Sequence, residues 1–407
     1  MNCGLLGEKL GHSYSPAIHA MLADYDYRLY EKTPAELEDF LLRGEWDSLN
    51  VTIPYKKAVI PCCTELSETA KRCGSVNTLI RLPGGGIRGE NTDAYGFAYL
   101  LRSLGFDPAG KKAVIFGSGG AAATVRAVLE ARGARETVTL SRRGQDNYDH
   151  LDRHSDAQLV VNATPVGMFP HNGEAAASLS SFENCEAVAD LIYNPARSTL
   201  LMEAEARGLP CVNGLGMLVA QAKRSCELFL GAAIPDGEVA RIEKKLARGM
   251  GNIILIGMPG CGKSTIARLL AEKTGRELCE SDTLIEREAG LPIPEIFRRE
   301  GEEGFRSRET AALTALGKLS GKVIATGGGC VTREENYPPL HQNGVIVRLL
   351  RDPGKLPKEG RPISLRSDLG ELYEQRRPYY ERFADFAVSN DGTPEETVRA
   401  ILEKLDP

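Results

Sequence analysis

Residues 113–122 read AVIFGSGGAA and residues 253–264 read IILIGMPGCGKS, and these two stretches decide the fold class. In each, four apolar residues run straight into a glycine-rich turn, and a helix-forming segment follows. The first turn, Gly117-Ser118-Gly119-Gly120-Ala121-Ala122, has the spacing G-x-G-x-x-A. Such glycines let the backbone approach a pyrophosphate at the N-terminus of the next helix, where free N–H groups and the helix dipole favour negative charge. The second turn, Gly257 to Ser264, reads G-x-x-x-x-G-K-S. There backbone N–H groups cradle phosphates, Lys263 reaches the β and γ oxygens, and the Ser264 hydroxyl takes Mg²⁺. Gly257, Gly260, Cys261, Gly262, Lys263, Ser264 and Thr265 are the expected ATP contacts. A dinucleotide loop and a triphosphate loop in one chain imply two reactions.

Working outward, the pattern is α/β, with short apolar runs alternating with helical segments almost throughout. Ala113–Phe116, Val138–Leu140, Leu159–Val161 and Ala187–Leu191 are predicted strands of one sheet, with a helix over Ala121–Ala131. A second β-α-β unit begins at Ile253–Ile256 and continues into a helix over Thr265–Lys273, closed by Gly275. Between them Glu238–Arg248 reads as a charged amphipathic helix and Gly249-Met250-Gly251 as a linker. The first ninety or so residues precede the dinucleotide unit and form a domain of their own.

A chain of 407 residues suits two or three domains. With 42% hydrophobic and 26% charged residues, long disordered tracts are not expected. A formal charge of −5 gives no reason to expect a nucleic-acid partner, although small anions need only a few basic residues. The N-terminus, MNCGLLGEKLGHSYSP, lacks a secretory pattern, and no apolar run reaches membrane-spanning length, so a cytoplasmic protein is expected. The ten cysteines are scattered and suggest neither a disulfide framework nor a zinc ribbon.

After Val138–Leu140 an NAD enzyme would offer a carboxylate to the adenosine ribose; this chain offers Ser141-Arg142-Arg143. Two guanidinium groups and a hydroxyl suit a 2′-phosphate, which favours NADP. In the N-terminal region Ser13 and Ser15 offer hydroxyls beside Pro16, and Lys56 follows the proline-broken strand of NVTIPYK. Asn77 and Asp93 lie in the loop-like SVNT and ENTD. Lys56 could give a proton to the alkoxide formed when a ketone is reduced, with Asp93 orienting it. By residue type alone, each reads more readily as a surface or capping residue than as a catalytic one. In the second half, Glu280 and Asp282 supply carboxylates for metal water and for a hydroxyl proton, and Arg306, Arg361 and Arg377 supply guanidinium groups around the Gly327-Gly328-Gly329 turn.

Together the strings HSxSP, NVTxPxK, GxVNT, NTDxxG, GxGGAA, NATPxGM and NGxxMLxxQA, in that order over residues 1–247, closely resemble shikimate dehydrogenase. The resemblance implies that Ser13 and Ser15 bind a substrate carboxylate and that Lys56 and Asp93 are the catalytic pair. It also implies that Thr52, Asn77 and Gln221 meet ring hydroxyls with Tyr193 nearby, and that Gly214 and Met217 flank the nicotinamide. Residues 252–407 resemble shikimate kinase through GxxGxGKST, Ser281-Asp282, GExxFRxxE, TGGG, RP and RRPxY. That resemblance implies Asp282 as base, Arg306 and Arg377 on the carboxylate, Gly328 and Gly329 against the ring, and Arg361 on a closing lid, with Lys355 or Lys358 as its alternatives. Glu280, where the family has Asp, would hold Mg²⁺ through water.

The expected domains are a substrate-binding domain (1–95), a Rossmann NADP domain (96–214), C-terminal helices (215–247), a linker (248–251) and a P-loop kinase domain (252–407). The expected function is NADPH-dependent reduction of 3-dehydroshikimate to shikimate, followed by ATP- and Mg²⁺-dependent phosphorylation to shikimate 3-phosphate. The alternative is an active dehydrogenase whose second half only binds nucleotide or phosphorylates another small hydroxy acid. Ser-Arg-Arg departs from the family's usual Asn-Arg-Thr or Asn-Arg-Ser clamp, and LRDPGKLPKEGR (350–361) is a short, Pro/Gly-rich lead-in to the lid.

Overall fold

The computed structural model describes residues 1–11, 13–144, 146–352, 354 and 369–405. The chain divides into two compact units, Met1–Tyr193 with Ser198–Leu246 and Asn194–Arg197 with Ala247–Pro407. Each is an α/β assembly, and none of the described helices is long and apolar enough to cross a membrane.

Unit 1 holds two sheets. The first contains β1 (Asn2–Gly7), β2 (Asp26–Glu31), β3 (Ser48–Val51), β4 (Glu65–Leu66), β5 (Thr78–Arg81) and β6 (Ile87–Glu90), in the order β2-β1-β3-β5-β6-β4. β1 runs parallel to β2 and β3, whereas β5 runs antiparallel to its two neighbours, β3 and β6. The antiparallel pair β5–β6 comes from the tight connection Leu82–Gly86, whose Leu82 N–H donates to Gly86 O at 2.7 Å. A two-strand hairpin needs only such a turn, whereas a parallel pair needs a crossover of a dozen residues or so.

The second sheet contains β7 (Lys112–Phe116), β8 (Glu136–Leu140), β9 (Leu159–Asn162), β10 (Ala187–Asp190) and β11 (Cys211–Val212), all parallel, in the order β11-β10-β9-β7-β8. Ala113 and Ile115 enter the hydrophobic layer on one face, and Val114 and Phe116 enter the layer on the other. Burial on both faces is why these strands read as unbroken apolar runs. Chain order reverses around β7, which has β8 on one side and β9 on the other. The loops at the carboxyl ends there diverge and open a crevice, the usual ligand position in such sheets.

Unit 2 repeats the logic with β12 (Asn252–Ile256), β13 (Glu277–Glu280), β14 (Lys322–Ala325), β15 (Gly344–Leu350) and β16 (Phe386–Ser389), parallel in the order β13-β14-β12-β15-β16. The phosphate loop leaves β12 and feeds the helix Lys263–Thr274, which stops at Gly275. The segment expected as a linker is different: a single helix runs Gly237–Met250, so Gly249 and Met250 are helical and only Gly251 precedes β12. The four-residue excursion Asn194–Arg197, which belongs to unit 2, was not visible in the periodicity.

Candidate active sites

In unit 1 the chain leaves β3 through Thr52 and reaches Lys56, while β6 delivers Asp93 to the start of the helix Asp93–Ser103. Lys56 Nζ donates to Asp93 Oδ2 at 2.6 Å, with the two side chains 26% and 12% exposed. The pair is therefore shielded, but a ligand can still reach it. Asn77 stands next to it: its Oδ1 accepts from the Thr92 N–H at 2.7 Å, and its Nδ2 donates to Thr92 Oγ1 at 3.0 Å. Gln221 Oε1 lies 3.5 Å from the same Nδ2. Lys56, Asp93, Asn77 and Gln221, far apart in sequence, thus converge.

Beneath them lies a buried polar network that the sequence reading did not assign. Asn50 Nδ2 donates to Ser225 Oγ at 2.7 Å, and Ser225 Oγ lies 3.0 Å from both Thr78 Oγ1 and Thr92 Oγ1. Tyr27 OH donates to Asn50 Oδ1 at 2.8 Å. Satisfied networks of this kind fix side-chain orientation, here that of Asn77. The signal was weak: Asn50, Thr78 and Thr92 only neighbour motif residues, and Ser225 is one helical turn beyond Gln221.

Ser15 opens the helix Ser15–Leu22, which has no side-chain N-cap, and its N–H donates to Ser13 Oγ at 3.2 Å. Two hydroxyls and uncapped helix N–H groups are groups suited to a carboxylate. Tyr14 packs edge-on against Tyr193 at 6.0 Å, which brings Tyr193 to that turn, and burial pushes the Tyr193 hydroxyl up. Thr52 is half-buried, with its N–H donating to Leu6 O at 2.9 Å.

On the nucleotide side, the helix Gly120–Ala131 starts at Gly119 without a side-chain cap, leaving its first N–H groups to a ligand. Ser118 and Gly119 are exposed, and Gly117, Gly120 and Ala121 are half-buried. Ser141 begins the turn after β8, and Arg142 and Arg143 are exposed there, without an ion pair to any described carboxylate. Gly214 meets the backbone so closely that a Cβ would stand 2.0 Å from Leu191 O. Met217 is buried on the next helix, Leu215–Leu230, which packs across Gly96. The loop and Ser141–Arg143 fit a dinucleotide phosphate and a 2′-phosphate respectively.

In unit 2 a cavity of about 580 Å³ is lined by Gly260, Gly262, Lys263, Ser264 and Thr265 on one side and by Asp282, Arg306, Gly328 and Gly329 on the other. Lys263 is buried and donates to Gly257 O at 2.8 Å and Met258 O at 3.0 Å, while Ser264 and Thr265 are exposed to the cavity. Burial pushes the Asp282 carboxyl up, and Lys263 offsets this only in part. A raised carboxyl is better matched to accepting a proton near neutral pH. Arg306 Nη1 pairs with Glu309 Oε2 at 2.6 Å with both side chains buried, and Glu309 is raised by that burial. A Cβ on Gly329 would fall 2.1 Å from Arg306 Nη1, so only glycine lets the GGG turn pass the guanidinium. Asn390, also missed in the sequence, clamps the phosphate loop by donating to Cys261 O at 2.6 Å. Cys261 itself is buried, which leaves only its backbone to meet a nucleotide.

One expectation needs correction. Arg376, not Arg377, faces the cavity: Arg376 is 6% exposed and donates to Gly328 O at 3.1 Å. Arg377 points outward to Glu374 and Glu381 at 3.6 and 3.3 Å. Adjacent helical positions are rotated by about 100°, so only one can face inward. Besides Asp282, the carboxylates that line the cavity are Glu286, one turn further along the same helix, and Glu309, while Glu280 ends β13 close enough for its charge to act on Asp282. Hard oxygen donors from Ser264, Asp282 and Glu286 suit Mg²⁺. Arg361, with Lys355 and Lys358, lies outside the described residues.

Residues 5–79 match the family model of the shikimate dehydrogenase substrate binding domain. A shikimate dehydrogenase (NADP(+)) from Methanopyrus kandleri is 39% identical over 266 residues, 57% of this chain and 91% of the relative. The chain belongs to the shikimate dehydrogenase family. The same enzyme from a Synechocystis strain is 34% identical over 57% of this chain and 91% of its own. Among solved structures, a chorismate mutase/shikimate 5-dehydrogenase fusion from Clostridium acetobutylicum is similar at a TM-score of 0.57 and 34% identity, covering 60% of this chain and 96% of its own. The Thermus thermophilus shikimate 5-dehydrogenase in complex with NADP(H) and shikimate gives 0.55 and 28%, covering 60% and 99%. Beyond its shikimate dehydrogenase half, the chain carries a shikimate kinase domain, matched by that family model over residues 259–406.

Proposed function

We propose that unit 1 reduces 3-dehydroshikimate to shikimate with NADPH and that unit 2 transfers a phosphoryl group from ATP to the hydroxyl so formed. The Lys56–Asp93 pair beside Asn77 and Gln221 is the observation that carries the first half. NADPH, held by Gly117–Ala121 and Ser141–Arg143, would supply the hydride equivalent. Ser13 and Ser15 hold the carboxylate, Thr52, Asn77 and Gln221 orient the ring with Tyr193 beside it, and Gly214 and Met217 border the nicotinamide. Lys56 gives its proton to the carbonyl oxygen as that oxygen becomes a hydroxyl, and Asp93 holds the ammonium in place.

In unit 2 Arg306 and Arg376 grip the same carboxylate and the Gly328–Gly329 turn supports the ring. Asp282 accepts the hydroxyl proton as oxygen attacks the γ-phosphorus, and ADP leaves. Lys263 and the loop N–H groups neutralise the phosphates. Mg²⁺, held by Ser264 with a neighbouring carboxylate, would add charge neutralisation. Arg142 and Arg143, exposed and without an ion pair to any described carboxylate, support NADP. A similar quinate dehydrogenase from Corynebacterium glutamicum is in complex with NAD, so both cofactors and quinate belong in the assay.

Mass analysis of the product from the full chain with 3-dehydroshikimate, NADPH, ATP and Mg²⁺ tests both halves. Shikimate 3-phosphate is the expected product. Shikimate alone would leave unit 2 a nucleotide-binding module or a kinase for another hydroxy acid, and unreacted substrate would remove the whole reading.

A further inference from the structure

We propose that Arg351 is a second cation on the ATP phosphates, acting from the β15 side of the loop in addition to Lys263; this rests on the reading of unit 2 as an ATP site. β15 pairs with β12 in the register Leu255↔Val347 and Ile256↔Arg348, so the chain leaving β15 emerges level with the phosphate loop. Arg351 is the first residue past β15. It lines the same cavity as Gly260, Gly262, Lys263 and Ser264. Its Nη1 lies 3.9 Å from where a Cβ of Gly262 would stand, so the guanidinium reaches the loop itself.

Among the described residues that group has no counterpart. Arg351 Nε is buried with no hydrogen-bond partner among them, and no ion pair joins its guanidinium to a described carboxylate. The nearby acids are committed elsewhere. Asp391 accepts from the Asp352 N–H and from Ser389 Oγ, both at 3.1 Å, and Asp352 accepts from the Gly354 N–H at 2.9 Å. Lys263, by contrast, is already satisfied by two loop carbonyls. An enclosed donor without a partner is costly unless a ligand completes it. The planar guanidinium fork matches phosphate oxygens, and an anion is what this loop is built to receive.

The test uses the full chain with Arg351→Ala and Arg351→Lys. It reads calorimetric binding of a non-hydrolysable ATP analogue, competition by inorganic tripolyphosphate, the kinase KM for ATP and for shikimate, and dehydrogenase rate as a control for an intact chain. Losing one charge-assisted contact should weaken ATP analogue and tripolyphosphate alike by roughly 10- to 100-fold. Arg351→Lys should recover part of that loss, with the shikimate KM within about twofold. ATP binding within twofold of wild type in Arg351→Ala overturns the proposal. So does weakened ATP with unchanged tripolyphosphate, which would assign the guanidinium to the base, and so does an equal loss of shikimate affinity, which would make the role structural. A wild-type chain that binds neither ligand removes the ATP reading itself, and the proposal with it.

Discussion

His19 gives unit 1 a calculable sensitivity to acid. Its ring is buried on the helix that carries Ser15, stacked on Tyr27 at 4.0 Å and near Phe229 at 5.9 Å, with Nδ1 bonded to Tyr25 OH. Burial lowers its pKa to about 3, against a smaller opposing effect of the Asn50 hydrogen bond. The folded pKa lies below the unfolded value of 6.5, so the neutral ring's contribution is fully present above pH 6.5 and is lost as pH falls toward 3. Integrating between these values, the His19 contribution alone should fall by about 2 kcal/mol between pH 7.5 and pH 5, and by about 3 kcal/mol by pH 4. Asp190 works in the opposite sense: burial raises it to about 6, so it stabilises the fold as pH drops from there. The His19→Phe variant separates the two. It strands the Tyr25 hydroxyl, a pH-independent cost of about 1–3 kcal/mol. The gap to wild type should then close by about 2 kcal/mol between pH 7.5 and pH 5. Urea unfolding at five pH values, with dehydrogenase activity as the probe of unit 1, measures it. A gap that stays constant with pH would mean the ring is not held neutral by burial, and the argument fails.

Lys56→Met should lower dehydrogenase kcat by about 10²- to 10⁴-fold, the usual worth of a positioned acid, with kinase activity unchanged. The partly exposed ion pair it breaks should cost under about 1 kcal/mol of stability, checked by the same unfolding assay. Arg142→Ala with Arg143→Ala should raise the KM for NADPH by roughly 10-fold or more and leave that for NADH within about twofold, because only the former has a 2′-phosphate to lose. Arg376→Ala should cost the kinase roughly 10- to 100-fold in kcat/KM for shikimate, while Arg377→Ala stays within threefold. The reverse order would restore the outward-facing arginine as the substrate ligand.

Local order was legible because it is written in neighbouring residues. The runs Ala113–Phe116 and Ile253–Ile256 are apolar at every position because both faces of a parallel strand are covered, and the glycines that follow mark where the chain must turn. From these alone came the α/β class, the two loops and the helices behind them, while the motif strings gave the family. Tertiary structure decided what depends on rotation and convergence. Arg376 and Arg377 are equivalent as letters, but the helix Leu369–Phe383 turns one to Gly328 and the other to Glu381. Glu286, outside every motif string, lines the cavity one turn beyond Asp282. Asn50, Thr78, Thr92 and Ser225 meet beneath Asn77 although up to 175 positions separate them. Arg351 looked like the start of a shortened lid, and only the pairing of β15 with β12 sets its side chain against the phosphate loop. A sequence fixes periodicity and turn chemistry within a few residues, but which face looks inward, and what it meets there, is settled only when strands and helices from distant parts of the chain pack together.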